Sequence, residues 1–229
     1  MLSRVAAIAA VLCAPLSACT ATVAGTASPT PPAPLATSET LPSLLLSASD
    51  IGSVMSSGDI AVVRDADTFW NDAARLDNAD CLAIAGTAQR AVYADSGATA
   101  VHSQVLREPP TSLSWSHYAV QAVVLFPTSQ AASAFYETSR HSWAGCADRQ
   151  LNYPQPIGPA QLWSIGPTST DHDVLAVSRN EQTPDRWLCQ RALTVHSNVA
   201  IDIEACSVEG PPTAAAAIAR QIAGRLPAA

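Results

Sequence analysis

The chain has 229 residues, a formal charge of −7 and only 14% charged side chains, with 48% hydrophobic residues. An acidic balance with no lysine and no basic run excludes a nucleic-acid interface and a polybasic membrane patch. Once a leader is removed, about 210 residues remain, enough for one domain with a sizeable core.

Residues 1–18 read as a lipoprotein signal peptide. Arg4 supplies a positive start, and Val5 to Leu12 is an apolar run too short to span a bilayer. Leu16-Ser17-Ala18-Cys19 then has the order of a bacterial lipobox. Lipid is transferred to the cysteine thiol as a thioether, and the peptidase needs small residues just before its cut. The alternative is an ordinary secretory leader with a chance cysteine. Two palmitate-type chains on Cys19 would hold the mature protein on the membrane without a spanning helix, where one chain holds only marginally. No later stretch has the roughly 18 apolar residues that a span needs. The expected location is therefore the extracytoplasmic face of the cell membrane, lipid-anchored. Cleavage removes Arg4 and takes the formal charge from −7 to −8.

Residues 19–42 read as the lipidated cysteine and a tether. Pro29, Pro31, Pro32, Pro34 and Pro42 stand among Ser, Thr and Ala, with no apolar periodicity to pack. A polyproline II chain of this length reaches roughly 60–70 Å. Thr22, Thr26, Ser28 and Thr30 suit O-linked sugar, and a bare linker is equally compatible.

Residues 43–229 read as a single α+β domain with a mainly antiparallel twisted sheet and packed helices. Ser47 with Asp50 predicts a capped helix start. Ile60 to Val63 predicts a short strand, Asp80 to Ala91 a helix, and Ala98 to Arg107 a strand. Tyr118 to Phe126 is almost wholly apolar and predicts a central strand, stopped by Pro127. Thr128 or Ser129 then caps a helix running to about Ser142, with its end at Trp143 and Gly145. Residues 150–170 carry Pro154, Pro156, Pro159 and Pro167 and read as irregular. Val174 to Ser178 is a further strand, and Pro211-Pro212 opens a last helix over Thr213 to Leu226, with Ile218 and Ile222 on one face.

Cys81, Cys146, Cys189 and Cys206 remain after Cys13 and Cys19 are set aside, an even number that favours two disulfides in an exported chain. A metal site is the alternative, although no CxxC pair supports it. Trp187 to Val195 and Val199 to Cys206 are β-rich runs around His196-Ser197-Asn198. If Cys189 lies opposite Cys206, Ser197-Asn198 becomes a two-residue turn and His196:Val199 a hydrogen-bonded pair. Counting outward, the cysteines then occupy a non-hydrogen-bonded pair, whose Cα spacing of about 4.5 Å suits a disulfide. Arg191 falls opposite Glu204 and Leu193 opposite Asp202, while Ala192, Ile201, Ile203 and Ala205 form an apolar opposite face. Cys81 is left to bond Cys146, joining two helix ends.

A family resemblance rests on Leu44-Leu45-Leu46-Ser47 with Asp50-Ile51, Asp80-Cys81-Leu82, Val92-Tyr93 with Ser96-Gly97, and Val120 to Val124 followed by Phe126-Pro127. It also rests on Trp143 with Cys146-Ala147 and on Cys189 to Leu193 through Asn198-Val199 to Ala205-Cys206. In order and cysteine spacing this resembles the PknH-like extracellular sensor domain of mycobacterial receptor Ser/Thr kinases and of free-standing lipoproteins. The resemblance covers about residues 43–226. It implies an α+β domain with two disulfides, paired as above, and a cleft for an extracellular ligand. It carries over no catalytic residue, and kinase motifs are absent from the chain.

GxSxG, HExxH, P-loop and GxGxxG motifs are likewise absent. Asp171-His172-Asp173 reads as a solvated loop or the seed of a metal site, and His102 and His117 as sheet histidines or a shared site. Neither group amounts to a metal centre, and no cofactor is expected. Arg191, Asp202 and Glu204 share the polar hairpin face. They form either a plain cross-strand ion pair or a cleft wall in which Arg191 holds an anionic or polar ligand group. Trp70, Trp115, Trp143, Trp163 and Trp187 supply core or a stacking platform. The expected function is a membrane-anchored, non-enzymatic ligand-binding or sensor module for a small cell-envelope molecule. The rivals are an adaptor for an envelope protein or kinase ectodomain, and a cell-envelope hydrolase.

Overall fold

The structure is a computed structural model, and it describes residues 34–112, 114–154, 160–182, 187–209 and 213–227. The leader, Cys19, most of the tether and Pro211-Pro212 lie outside the described residues. Eight strands form one sheet in the order β1-β2-β3-β8-β7-β6-β5-β4, and every adjacent pair is antiparallel. They are β1 (Ala61–Ala66), β2 (Ala100–Glu108), β3 (His117–Leu125), β4 (Gln150–Tyr153), β5 (Gln161–Asp171), β6 (Val174–Glu181), β7 (Leu188–His196) and β8 (Val199–Ser207). Among the described residues six α-helices accompany them: α1 (Leu41–Leu44), α2 (Ala48–Met55), α3 (Leu82–Ala85), α4 (Arg90–Tyr93), α5 (Ser129–Cys146) and α6 (Ala214–Ala223). The fold is α+β, with helices on both faces of the sheet.

One face of the sheet carries a core built with α1, α2 and α6. Ile218 and Ile222 are fully buried there, each worth about 1.5–3 kcal/mol of transfer free energy. The small Ala215 and Ala219 beside them let α6 lie close on β7 and β8. The opposite face is covered by α3, α4 and α5. Because both faces are covered, β3 is buried from Ala119 to Val124 and reads as an apolar run broken only by Gln121, whose amide is satisfied by the Leu46 backbone.

Local signals set several boundaries. Ser47 accepts from the Asp50 amide while the Asp50 carboxylate accepts from the Ser47 amide, a closed capping box at the start of α2. Thr128 caps α5 by accepting from Ala131 N at 3.1 Å. Asn198 is buried in the β7–β8 turn, exchanges two hydrogen bonds with Ala36 and donates to the Phe126 carbonyl. The chain around residue 36 is thereby pinned to the sheet, and Leu41 is buried. Residues 36–42 therefore belong to the domain and not to the tether.

Two further sequence expectations are corrected. Residues 150–170 are not irregular throughout: they include β4 and most of β5, and Pro167 is accommodated in the β5 bulge between Ile165 and Thr168. The helix expected over 80–91 is two short helices, interrupted from Gly86 to Gln89.

The loop after α2 is tied to β2 through Glu108, whose carboxylate accepts from Gly58 N at 3.1 Å and Asp59 N at 3.0 Å and lies against His117 Nδ1. The Ser57 hydroxyl, the Asp59 amide and His117 together hold this carboxyl below its ordinary range, against a smaller opposing push from burial. A depressed folded pKa contributes stability above the unfolded glutamate value of about 4.3 and loses it as pH falls through the folded value. We therefore expect a melting temperature that drops as pH falls below about 4.3, with a shallower drop in Glu108→Gln, measured by calorimetry. Equal slopes in the two proteins would contradict this role.

Candidate functional site

The hairpin β7–β8 has the register its sequence predicts: Cys189↔Cys206, Arg191↔Glu204, Leu193↔Asp202 and His196↔Val199. The two cysteines are bonded, with Cα atoms 4.0 Å apart. Cys81, at the start of α3, is bonded to Cys146, at the end of α5. The Sγ atoms of Cys189 and Cys206 lie with the Glu204 carboxylate within 4.8 Å, but sulfurs shared in a disulfide offer no thiolate to a metal.

The polar hairpin face is buried under the segment 82–89, and its ion pairs run diagonally across the expected Arg191:Glu204 pair. Arg191, 1% exposed, lies 2.8 Å from Asp202 and donates to Thr87 Oγ1 and to the carbonyls of Ile203, Ala83 and Gly86. Asp202 in turn accepts from the Ala88 amide at 2.8 Å and from the Tyr93 hydroxyl at 3.0 Å. Burial, with the adjacent carboxylate, pushes the Tyr93 phenol well above its ordinary range, so it remains a donor. These bonds explain the interruption between α3 and α4: the carbonyls and amides that a continuous helix would pair internally are taken by the sheet. Gln89 completes the break, since its backbone bridges Trp70 and its side chain bonds Asp72.

Glu204 pairs with Arg179 of β6, which also donates to the Ala85 carbonyl and the Tyr153 hydroxyl. Burial pulls the Arg179 guanidinium below its ordinary pKa. Above this pair opens a cavity of about 230 Å³. Its walls are the polar segment 85–89, the loop bearing Trp70, Asp72 and Arg75, and the sheet residues Tyr118, Tyr153, Trp163, Arg179 and Glu204. Trp70, Tyr118, Tyr153 and Trp163 are all partly exposed, and Trp163 lies 5.2 Å from the Arg179 guanidinium.

The expected cleft residues thus divide. Glu204 reaches the cavity, whereas Arg191 and Asp202 form the layer beside it and are absent from the lining. Arg191 stands apart from the lining: its two terminal nitrogens go to Thr87, Asp202 and three carbonyls, and Nε alone lacks an acceptor among the described residues, so the side chain braces the wall. Arg179 was missed because the β6 prediction stops at Ser178. Alternation with Leu175 and Val177 would have put it on the same face, yet only the β6–β7 register, Arg179↔Cys189, brings it toward Glu204.

The other candidates separate. His102 meets Asp67 and Asp65, His117 meets Glu108, and the two histidines sit toward opposite ends of the β2–β3 ladder. Asp171-His172-Asp173 is the β5–β6 turn, with His172 and Asp173 at positive φ and Asp171 bound to Arg220. Trp143 is buried beneath Arg191, and Trp115 stacks on Tyr118. A second groove of about 520 Å³ runs between α3–α4 and α5, with Asp80 and Asp95 on its rim. No described helix is long and apolar enough to cross a membrane.

Comparison with known proteins converges on one group. Serine/threonine-protein kinase PknH of Mycobacterium bovis (strain ATCC BAA-935 / AF2122/97) is 30% identical over 179 residues, which is 78% of this chain and 29% of that protein. PknH of Mycobacterium tuberculosis (strain ATCC 25618 / H37Rv) is 31% identical over 176 residues, 77% of this chain and 28% of that protein. The chain thus spans under a third of the length of these curated relatives. The crystal structure of the extracellular domain of PknH from Mycobacterium tuberculosis aligns with a TM-score of 0.78 at 28% identity, covering 84% of this chain and 97% of that one. With a family model matching residues 36–225, the chain belongs to the PknH-like extracellular domain family.

Proposed function

We propose that this protein is a non-catalytic, lipid-anchored sensor that captures a small cell-envelope molecule in the cavity above Arg179 and Glu204. The observation that carries the reading is the lining: four partly exposed aromatic rings surround a floor whose buried charges are already paired. Concave sites with apolar walls and a few fixed polar groups are the usual small-molecule sites. No nucleophile–base pair of a hydrolase faces the cavity among the described lining residues. Adding a small-molecule extract of the envelope is expected to raise the melting temperature of the full-length protein, since a ligand that binds only the folded state stabilises it. No shift at saturating extract counts against the reading. Anchoring is tested by palmitate-analogue labelling, expected on the wild type and lost in Cys19→Ser. Equal labelling of both proteins excludes Cys19 as the lipid site. A second reading, an adaptor for an envelope protein, draws support from the groove of about 520 Å³ beside α5. Cross-linking from that groove to a membrane protein would favour it.

A further inference from the structure

We infer that the ligand of this cavity presents a neutral saccharide ring. The inference rests on the ligand-binding reading above and adds the chemical class. Charge is the first argument. The lining holds two carboxylates and two guanidiniums, Asp72 with Arg75 at 3.6 Å and Glu204 with Arg179. With each charge already matched, no unpaired charge is left to favour an anionic or a cationic ligand.

Shape and edge chemistry are the second argument. A cavity of about 230 Å³ is smaller than the roughly 300–1,000 Å³ of drug-sized pockets and suits a single ring. Trp70 and Trp163 supply flat apolar surfaces with polar rims, which suit the C–H face of a pyranose. On one wall the Gln89 amide is bonded to Asp72 and the Thr87 carbonyl, and the Arg75 guanidinium, 59% exposed, presents its fork at the rim. A guanidinium fork can donate to two neighbouring oxygens at once, the spacing that vicinal hydroxyls provide.

The test uses the full-length protein in a detergent without a sugar headgroup. Methyl β-D-glucopyranoside, methyl α-D-mannopyranoside and methyl β-D-galactopyranoside are titrated by tryptophan fluorescence and saturation-transfer NMR. These glycosides cover both orientations at C2 and C4. Indole and inorganic phosphate serve as apolar and anionic comparators. The expected result is saturable binding of at least one glycoside, with saturation transfer strongest on its ring C–H protons. Trp163→Leu is expected to weaken that binding about tenfold, the scale of one lost stacking contact. Because Trp163 also contacts Arg179, Arg75→Ala is the companion variant. Its side chain is 59% exposed on the rim, and it should fold normally yet bind less tightly. Indole or phosphate binding here with no glycoside binding overturns the saccharide assignment and leaves the ligand-binding reading standing. Silence from every probe, together with no stabilisation by envelope extract, removes both.

Discussion

Arg191→Leu is expected to cost about 3–5 kcal/mol of folding stability, the usual penalty for leaving one member of a buried ion pair behind. Asp202, 3% exposed, would lose the cation 2.8 Å away. The carbonyls of Ala83, Gly86 and Ile203 would also lose a donor. Arg191→Lys keeps the charge but not the fork that reaches several acceptors, so it should fall between wild type and leucine. The double variant Arg191→Leu/Asp202→Leu should not recover fully, because the Ala88 amide and Tyr93 hydroxyl then lack an acceptor. Urea unfolding measures all three. A loss under about 1 kcal/mol for Arg191→Leu would mean that the network contributes no more than an exposed ion pair.

The second large effect is expected from the disulfides, and it is unequal. By the chain-entropy estimate, opening Cys81–Cys146, with 65 residues of separation, costs about 4 kcal/mol, and opening Cys189–Cys206, with 17, costs about 3. Their consequences for the site differ more than their energies. Cys189 and Cys206 sit in a ladder paired from Leu188 to His196, which holds the hairpin without the bond. Cys81–Cys146 fastens the start of α3 to α5, and α3 leads directly into the segment 85–89 that walls the cavity. Paired serine substitution at Cys81 and Cys146 should therefore lower the melting temperature more and also abolish ligand retention. The Cys189/Cys206 variant should keep its ligand at temperatures where it is folded. Equal loss of ligand in both folded variants would contradict this division.

The hairpin was legible from sequence because three constraints met in one register. A two-residue turn, a cysteine pair and the segregation of Ala192, Ile201, Ile203 and Ala205 from the polar residues all had to agree. The caps at Ser47 and Thr128 were legible because each bonds within three residues. Gly86 to Gln89 was not, since Arg191, Asp202 and Trp70 break that helix from more than a dozen residues away. Local propensity favours helix there, and tertiary hydrogen bonds override it. The strands around Pro154 and Pro167 were hidden for a related reason. Proline argues against a strand until a bulge is known to receive it, and β5 supplies one. The residues around the cavity were legible only in part: Glu204, Trp70 and Trp163 could be singled out by type and position, whereas Arg179 and Tyr153 come from segments whose pairing partners the sequence does not name.

The most direct test of the central claim, that the cavity above Arg179 and Glu204 holds a ligand, is native mass spectrometry of the full-length protein isolated from its own envelope. The account predicts a reproducible additional mass that disappears on denaturation and is missing from the Cys81/Cys146 serine variant. A bare native mass in repeated preparations, with both disulfides intact, would contradict it.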